Sequence, residues 1–301
     1  MDDSQHFMQL FQNALNVSED IRLQASAEIL ADMNNNRLHF ILTCASILKQ
    51  AAQIDETILG QTIVFLSQSL SPSDVQIINE IWAQFLQQKR DQGVDITNDI
   101  KQSVINLFSH PNQAIRNCAA TCLSNISFFD RGLYQSTFSQ LVDLFNDNEK
   151  PPEVRITALI SLKTTLEYYS NPTKYQFSEF NASEKYKEVF SRLNSSFLPI
   201  LANFRQQDLE FLSLIYEIIA ILARFKSSKE TFLITPFFDE DVQSNQEFIG
   251  NLFTITQEIL SAQPQNLHVY QSIHSFLLSF SLVLYDDLSD SKYFSGEKEE
   301  R

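Results

Sequence analysis

Three stretches decide how this chain reads: Ile21-Arg22-Leu23-Gln24-Ala25-Ser26-Ala27-Glu28-Ile29, Ile115-Arg116-Asn117-Cys118-Ala119-Ala120-Thr121-Cys122-Leu123 and Val154-Arg155-Ile156-Thr157-Ala158-Leu159-Ile160-Ser161-Leu162. Position for position, each carries a branched apolar residue, then Arg, then Ala, then another branched apolar residue. Apolar steps of four stay on one face of an α-helix and form a stripe, and the central Ala lets a neighbouring helix come close. The Arg lies beside that stripe.

The interval from Arg116 to Arg155 is one helix-pair repeat. That from Arg22 to Arg116 holds two slightly longer ones, as expected if the intervening repeat has lost the signature. Repeats of this period build solenoids, in which no pair buries its apolar face alone and stability comes from stacking on neighbours. The expected fold is all-α, a right-handed α-solenoid of antiparallel helix pairs, and function is expected on its extended surface.

Helical periodicity continues outward from these stretches almost end to end, with Asn, Asp, Ser and Pro punctuation at intervals of about 15 to 20 residues. It predicts helices at 4–16, 19–33, 36–52, 56–70, 74–90, 97–109, 112–128, 133–146, 152–169, 183–204, 208–225, 245–262 and 267–286. Asn112 is placed to cap free backbone N–H groups, and Pro152 suits a first turn that needs no donor. The segment Asn171 to Asn181, with Pro172 and several aromatics, breaks the rhythm as an insertion between repeats.

Composition agrees. With 301 residues, 44% of them hydrophobic, the chain has ample material for a core, and only 5 Gly leaves tight turns and phosphate-cradling loops poorly supplied. A formal net charge of -15 argues against nucleic acid and favours basic protein partners. Cys44, Cys118 and Cys122 are an odd count with no disulfide spacing and no cleavable signal sequence before them, which fits a reduced compartment, cytosolic or nuclear. The sequons at Asn16, Asn125, Asn181 and Asn194 carry no weight there. Leu209 to Phe225 contains Glu210 and Glu217, and Phe276 to Tyr285 is too short to span a bilayer, so no membrane insertion is expected.

The opening part of the chain resembles the N-terminal region of the importin-β (karyopherin-β) family, built of HEAT repeats. Arg22-Leu23-Gln24-Ala25-Ser26-Ala27-Glu28-Ile29-Leu30 looks like the family's first B helix, and Leu38-His39-Phe40-Ile41-Leu42 with Ile47-Leu48 looks like the following A helix. Gly60-Gln61-Thr62 to Ser69-Leu70 and then Ile81-Trp82 resemble the second B helix and the Trp that follows it. The likeness runs on more faintly through Ile100-Lys101-Gln102-Ser103-Val104 and the helix at Cys118 to Ile126. It divides the chain into family-like repeats at 1–170, the insertion at 171–181, further divergent HEAT-like helices at 182–288 and a polar tail at 289–301.

The resemblance implies a nuclear transport receptor or its N-terminal portion, working between cytoplasm and nucleus and at the nuclear pore, with no catalysis and no cofactor. It implies binding of the GTPase Ran in its GTP state to the second helices of the early repeats. By their place on the matched helices, Gln24, Glu28, Ser67 and Gln68 are the contact candidates, and solvated polar positions are the alternative reading of the same four. Family members often carry Lys-Asn where Ser67-Gln68 stands here, so neutral hydrogen bonds replace a charge-assisted one. Nuclear-pore FG repeats and basic cargo proteins are the further implied partners. The same helices would equally serve a HEAT scaffold of phosphatase-regulatory or coat-adaptor type.

Other patterns read as structure. Cys118 and Cys122 share a helix face, but no His or third Cys lies near them in sequence, so no metal is assigned. The histidines His6, His39, His110, His268 and His274 form no catalytic pattern, Trp82 reads as a packing residue, and the acidic groups Asp239-Glu240-Asp241 and Asp286-Asp287 read as solvated loops. The last predicted helix carries Ile273, Phe276, Leu277, Leu278, Phe280, Leu282, Val283 and Leu284 around nearly its whole circumference, which leaves an apolar face for further repeats or a partner.

Overall fold

The computed structural model describes residues 3–71, 75–93, 95–129, 134–169, 192–193, 195–206, 208–223, 242–262 and 266–290. The insertion expected at 171–181 and Asp239-Glu240-Asp241 lie outside them. All regular structure among these residues is helical: α1 Asp3–Asn13, α2 Glu19–Asn35, α3 Arg37–Leu48, α4 Glu56–Ser69, α5 Val75–Gln92, α6 Ile96–Ile105, α7 Gln113–Phe129, α8 Tyr134–Asn146, α9 Pro152–Tyr169, α10 at 195–202, α11 Leu209–Ala223, α12 Val242–Ser261 and α13 Leu267–Asp290, with short 3-10 turns between some of them. The helix expected at 97–109 ends at Ile105 and continues as a 3-10 turn over Asn106–Ser109. α13 runs four residues beyond the expected 286, into the stretch read as tail.

The chain divides into two compact units, Met1–Thr137 with Pro151–Ser161, and Phe138–Lys150 with Leu162–Arg301. In the first, α1 packs on α2, α3 on α4 and α6 on α7, giving three helix pairs. The first helices stack α1 to α3 to α6, and α4 lies along α7. α5 stands outside this alternation and packs on α6 and α7. The repeat between Arg22 and Arg116 is therefore α3–α4, and the inserted α5 accounts for the extra length.

The signature falls at one register in α2, α7 and α9. Counted from the first residue of α2, α7 and α9, Arg22, Arg116 and Arg155 are fourth, Ala25, Ala119 and Ala158 seventh, and Ile29, Leu123 and Leu162 eleventh. In α4 the same places hold Leu59, Thr62 and Leu66. Every seventh and eleventh residue is buried. Thr62 meets that demand by donating its hydroxyl to the Ile58 carbonyl, 2.8 Å away, so no polar group is left bare.

Arg116 and Arg22 fasten their helices to the loop before them. Arg116 Nη1 donates to the carbonyls of His110 (2.8 Å) and Pro111 (2.9 Å), and Arg22 Nη1 reaches the Asn16 carbonyl more weakly at 3.4 Å. Helix starts are capped as expected of short polar residues: Asp55 accepts from Thr57 N–H, Asp95 from Asn98 N–H and Asn112 Oδ1 from Ala114 N–H. The Thr57 N–H and hydroxyl, with the Ile58 N–H, hold the Asp55 carboxyl below its ordinary range. At Asp95 partial burial pushes the other way, but Lys89, Thr97 and the Asn98 N–H outweigh it and the net shift is downward.

Aromatic rings fill the space between pairs. Phe11 stacks on Phe65 at 5.4 Å between ring centroids and Phe7 meets the edge of Phe40 at 5.3 Å. In the second unit, Phe145 of α8 meets Phe197 of α10, α11 packs along α13, and Tyr216 lies against Phe276 with its hydroxyl 2.8 Å from that of Thr256. Lys163 joins that unit's α9 to α11 through Glu217 at 2.6 Å. α13 buries Val269, Ile273 and Phe276, while Leu278 and Leu282 on its other side are 51% and 55% exposed, so the outward apolar face is present. No helix of the described residues is long and apolar enough to cross a membrane.

Candidate partner-binding surface

The four contact candidates belong to the first unit. Gln24 and Glu28 are one turn apart on α2, both exposed, on the flank beside the buried Ala25 and Ile29. Glu28 is met by His6 Nε2 of α1 at 3.1 Å, a contact near the surface that leaves the carboxylate accessible. A second histidine contact, His39 of α3 to Asp3 of α1 at 3.6 Å, also anchors α1.

Ser67 and Gln68 close the last turn of α4. Gln68 is exposed, and Ser67 is half-buried because Asn125 of α7 donates from Nδ2 to both its carbonyl oxygen (2.8 Å) and its hydroxyl (3.2 Å). Sequence reasoning gave Asn125 no role. The signal that could have found it is an amide one turn after Cys122, on the helix face that also carries Cys118 and that α7 turns to α4. Asn125 is 3% exposed, so its sequon lies inside the fold.

Away from these residues the same seam opens. Between the N-terminal halves of α4 and α7 lies a groove of about 520 Å³, lined by Glu56, Thr57, Gly60, Gln61, Val64, Asn112, Ala114, Ile115 and Cys118. At its mouth Asn112 Nδ2 donates to Glu56. No sequence pattern marks this cleft, since it depends on how far apart two helices 57 residues from start to start come to rest.

The third cysteine missing from the neighbourhood of Cys118 and Cys122 comes from another helix. Cys44 of α3 stands close enough to Cys122 to act on it electrostatically. Burial pushes the Cys44 and Cys122 thiols far up and raises Cys118 as well, which keeps all three protonated. Among the described residues no three His, Cys, Asp or Glu side chains come together in a way that could hold a metal ion. Trp82 is buried against Phe85, with no partner for its indole N–H.

No family model matches the sequence, and no curated protein matches it. Solved structures do match the fold. Yeast importin-β (Kap95p) superposes with a TM-score of 0.66 at 17% identity, over 98% of this chain and 31% of that one. Kap95p in a structure with RanGDP gives a TM-score of 0.53 at 17% identity, over 99% of this chain and 35% of that one. The Kap95:Nup1 complex gives 0.54 at 18% identity, over 99% and 36%. The chain spans about a third of the length of the chains it matches. Its fold is the α-solenoid of HEAT-type helix pairs found in importin-β.

Proposed function

We propose that this chain is a nuclear transport receptor, or a portion of one, that binds Ran-GTP through the second helices of its early pairs. The observation that supports this most is the superposition on importin-β over 98% of the chain. The likeness extends to structures in which Kap95p meets RanGDP and Nup1. On this reading Gln24, Glu28 and Gln68 face Ran directly, and Ser67 is held in place by Asn125. FG-repeat nucleoporins and basic cargo are the further partners, catalysis has no part, and the protein moves between cytoplasm and nucleus.

The test is retention on immobilised Ran loaded with a non-hydrolysable GTP analogue or with GDP. GTP-selective retention that weakens at least several-fold in Gln24→Ala/Glu28→Ala and in Gln68→Ala is the expected result. No retention in either nucleotide state sinks the reading and leaves a HEAT scaffold outside transport.

A further inference from the structure

The groove between α4 and α7 contains a glycine that the fold does not ask for. Gly60 is the fifth residue of α4, inside the helix, where glycine costs about 1 kcal/mol relative to alanine. Its φ is not positive, and a Cβ built there meets nothing within 4 Å. Neither backbone conformation nor internal packing explains the residue. Its effect is to leave bare backbone in the wall of the groove, opposite Ala114 and Ile115 of α7.

The walls and the mouth differ in chemistry. Gly60, Val64, Ala114, Ile115 and Cys118 make the inside apolar, while the one charged residue in the lining is Glu56, preceded by Asp55. An apolar recess with a carboxylate, Glu56, at its rim complements a large apolar side chain carried next to a cation.

We propose that this groove is a docking site for a partner polypeptide that inserts one large aliphatic side chain between Gly60 and Ala114 and sets an adjacent Lys or Arg against Glu56. The site goes beyond the Ran reading. It uses the open N-terminal half of the seam, whereas Ser67 and Gln68 occupy the closed C-terminal half.

Cys118 supplies the test, because it lines the groove while Cys44 and Cys122 are buried. The protein is equilibrated in excess free 2-mercaptoethanol with the peptides Cys-Gly-Leu-Lys-Lys, Cys-Gly-Ser-Lys-Lys and Cys-Gly-Leu-Glu-Glu, each supplied as its mixed disulfide with 2-mercaptoethanol, so that Cys118 takes up the peptide as 2-mercaptoethanol leaves, and the adduct on Cys118 is read by intact mass. The Leu-Lys peptide is expected to form about tenfold more adduct than either control. That preference is expected to vanish in Gly60→Leu and in Ala114→Leu, which fill the groove from opposite walls. Unchanged Trp82 fluorescence in each variant establishes that the fold is kept. Equal capture of the three peptides, or a preference that survives both fillings in folded protein, overturns the proposal. Because no Ran is present, the outcome is independent of Ran binding.

Discussion

Asn125 and Ser67 lie 58 residues apart in sequence, yet one amide group of the first donates to both the carbonyl and the hydroxyl of the second. This links the second helices of adjacent pairs by a polar contact inside an apolar seam. The Ser67 carbonyl is near the end of α4, where helical carbonyls run out of intrahelical partners, and Asn125 meets that need.

Replacing Asn125 by Leu removes the donor and leaves a half-buried carbonyl unmet. The expected loss is about 1–3 kcal/mol of unit stability. Urea unfolding followed by Trp82 fluorescence reads it, since Trp82 is the chain's one tryptophan and is buried in the same unit. A variant as stable as the parent would show that the bond contributes nothing net.

The arginine signature makes a graded prediction. Arg116→Ala loses two good bonds from a charged donor and is expected to cost about 1–3 kcal/mol, while Arg22→Ala loses one long contact at an exposed position and is expected to cost under about 1 kcal/mol. Equal losses in the same urea assay would mean that the repeated Arg acts through something other than these carbonyls.

Tyr216 predicts an alkaline weakness. Burial raises its hydroxyl from 10.0 to about 12, against a smaller opposing effect of the Thr256 hydrogen bond. Above pH 10 the unfolded tyrosine loses its proton while the folded one keeps it, so stability falls as pH rises from about 10 to 12 and is fully present below that window. The expected loss across it is about 2 kcal/mol. Tyr216→Phe costs about 1 kcal/mol at neutral pH but loses this component, because Thr256 keeps its bond to the Leu252 carbonyl. Parallel stability curves for the two proteins over that window would contradict the assignment.

On α13 the two faces are expected to respond oppositely. Ile273→Ala should cost about 2–5 kcal/mol, and Leu278→Ser should change stability by less than about 0.5 kcal/mol while reducing self-association at high concentration. Urea titration and light scattering check the pair. A large stability loss from Leu278→Ser would show that its face is already covered within the chain.

Much of the fold was legible because periodicity is local. Twelve amphipathic or apolar helices were placed within a few residues of Asp3–Asn13 through Leu267–Asp290, the exception being 183–204, of which only 192–193 and 195–202 fall among the described residues together with the turn that follows. The α3–α4 repeat lacks the signature because Thr62 does by a side-chain hydrogen bond what Ala does by smallness. The placement of α5 was hidden because stacking order depends on contacts between distant segments. The candidate contact residues came from resemblance rather than from any pattern of their own. The half-burial of Ser67 left only the faint signal of an amide on the stacking face of α7, and the Gly60 groove left none, since both arise from the distance between two helices.

The arginine fastening has a mechanical consequence. Arg116 grips carbonyls five and six residues earlier in the chain, inside its own repeat, so bending one pair against the next stretches none of these bonds. Within the first unit, compliance is left to seams such as that of α4 and α7, where Asn125 holds Ser67 at one end and the Asn112–Glu56 contact spans the mouth of the open recess at the other. The pairs act as stiff links, and the seams as the springs between them.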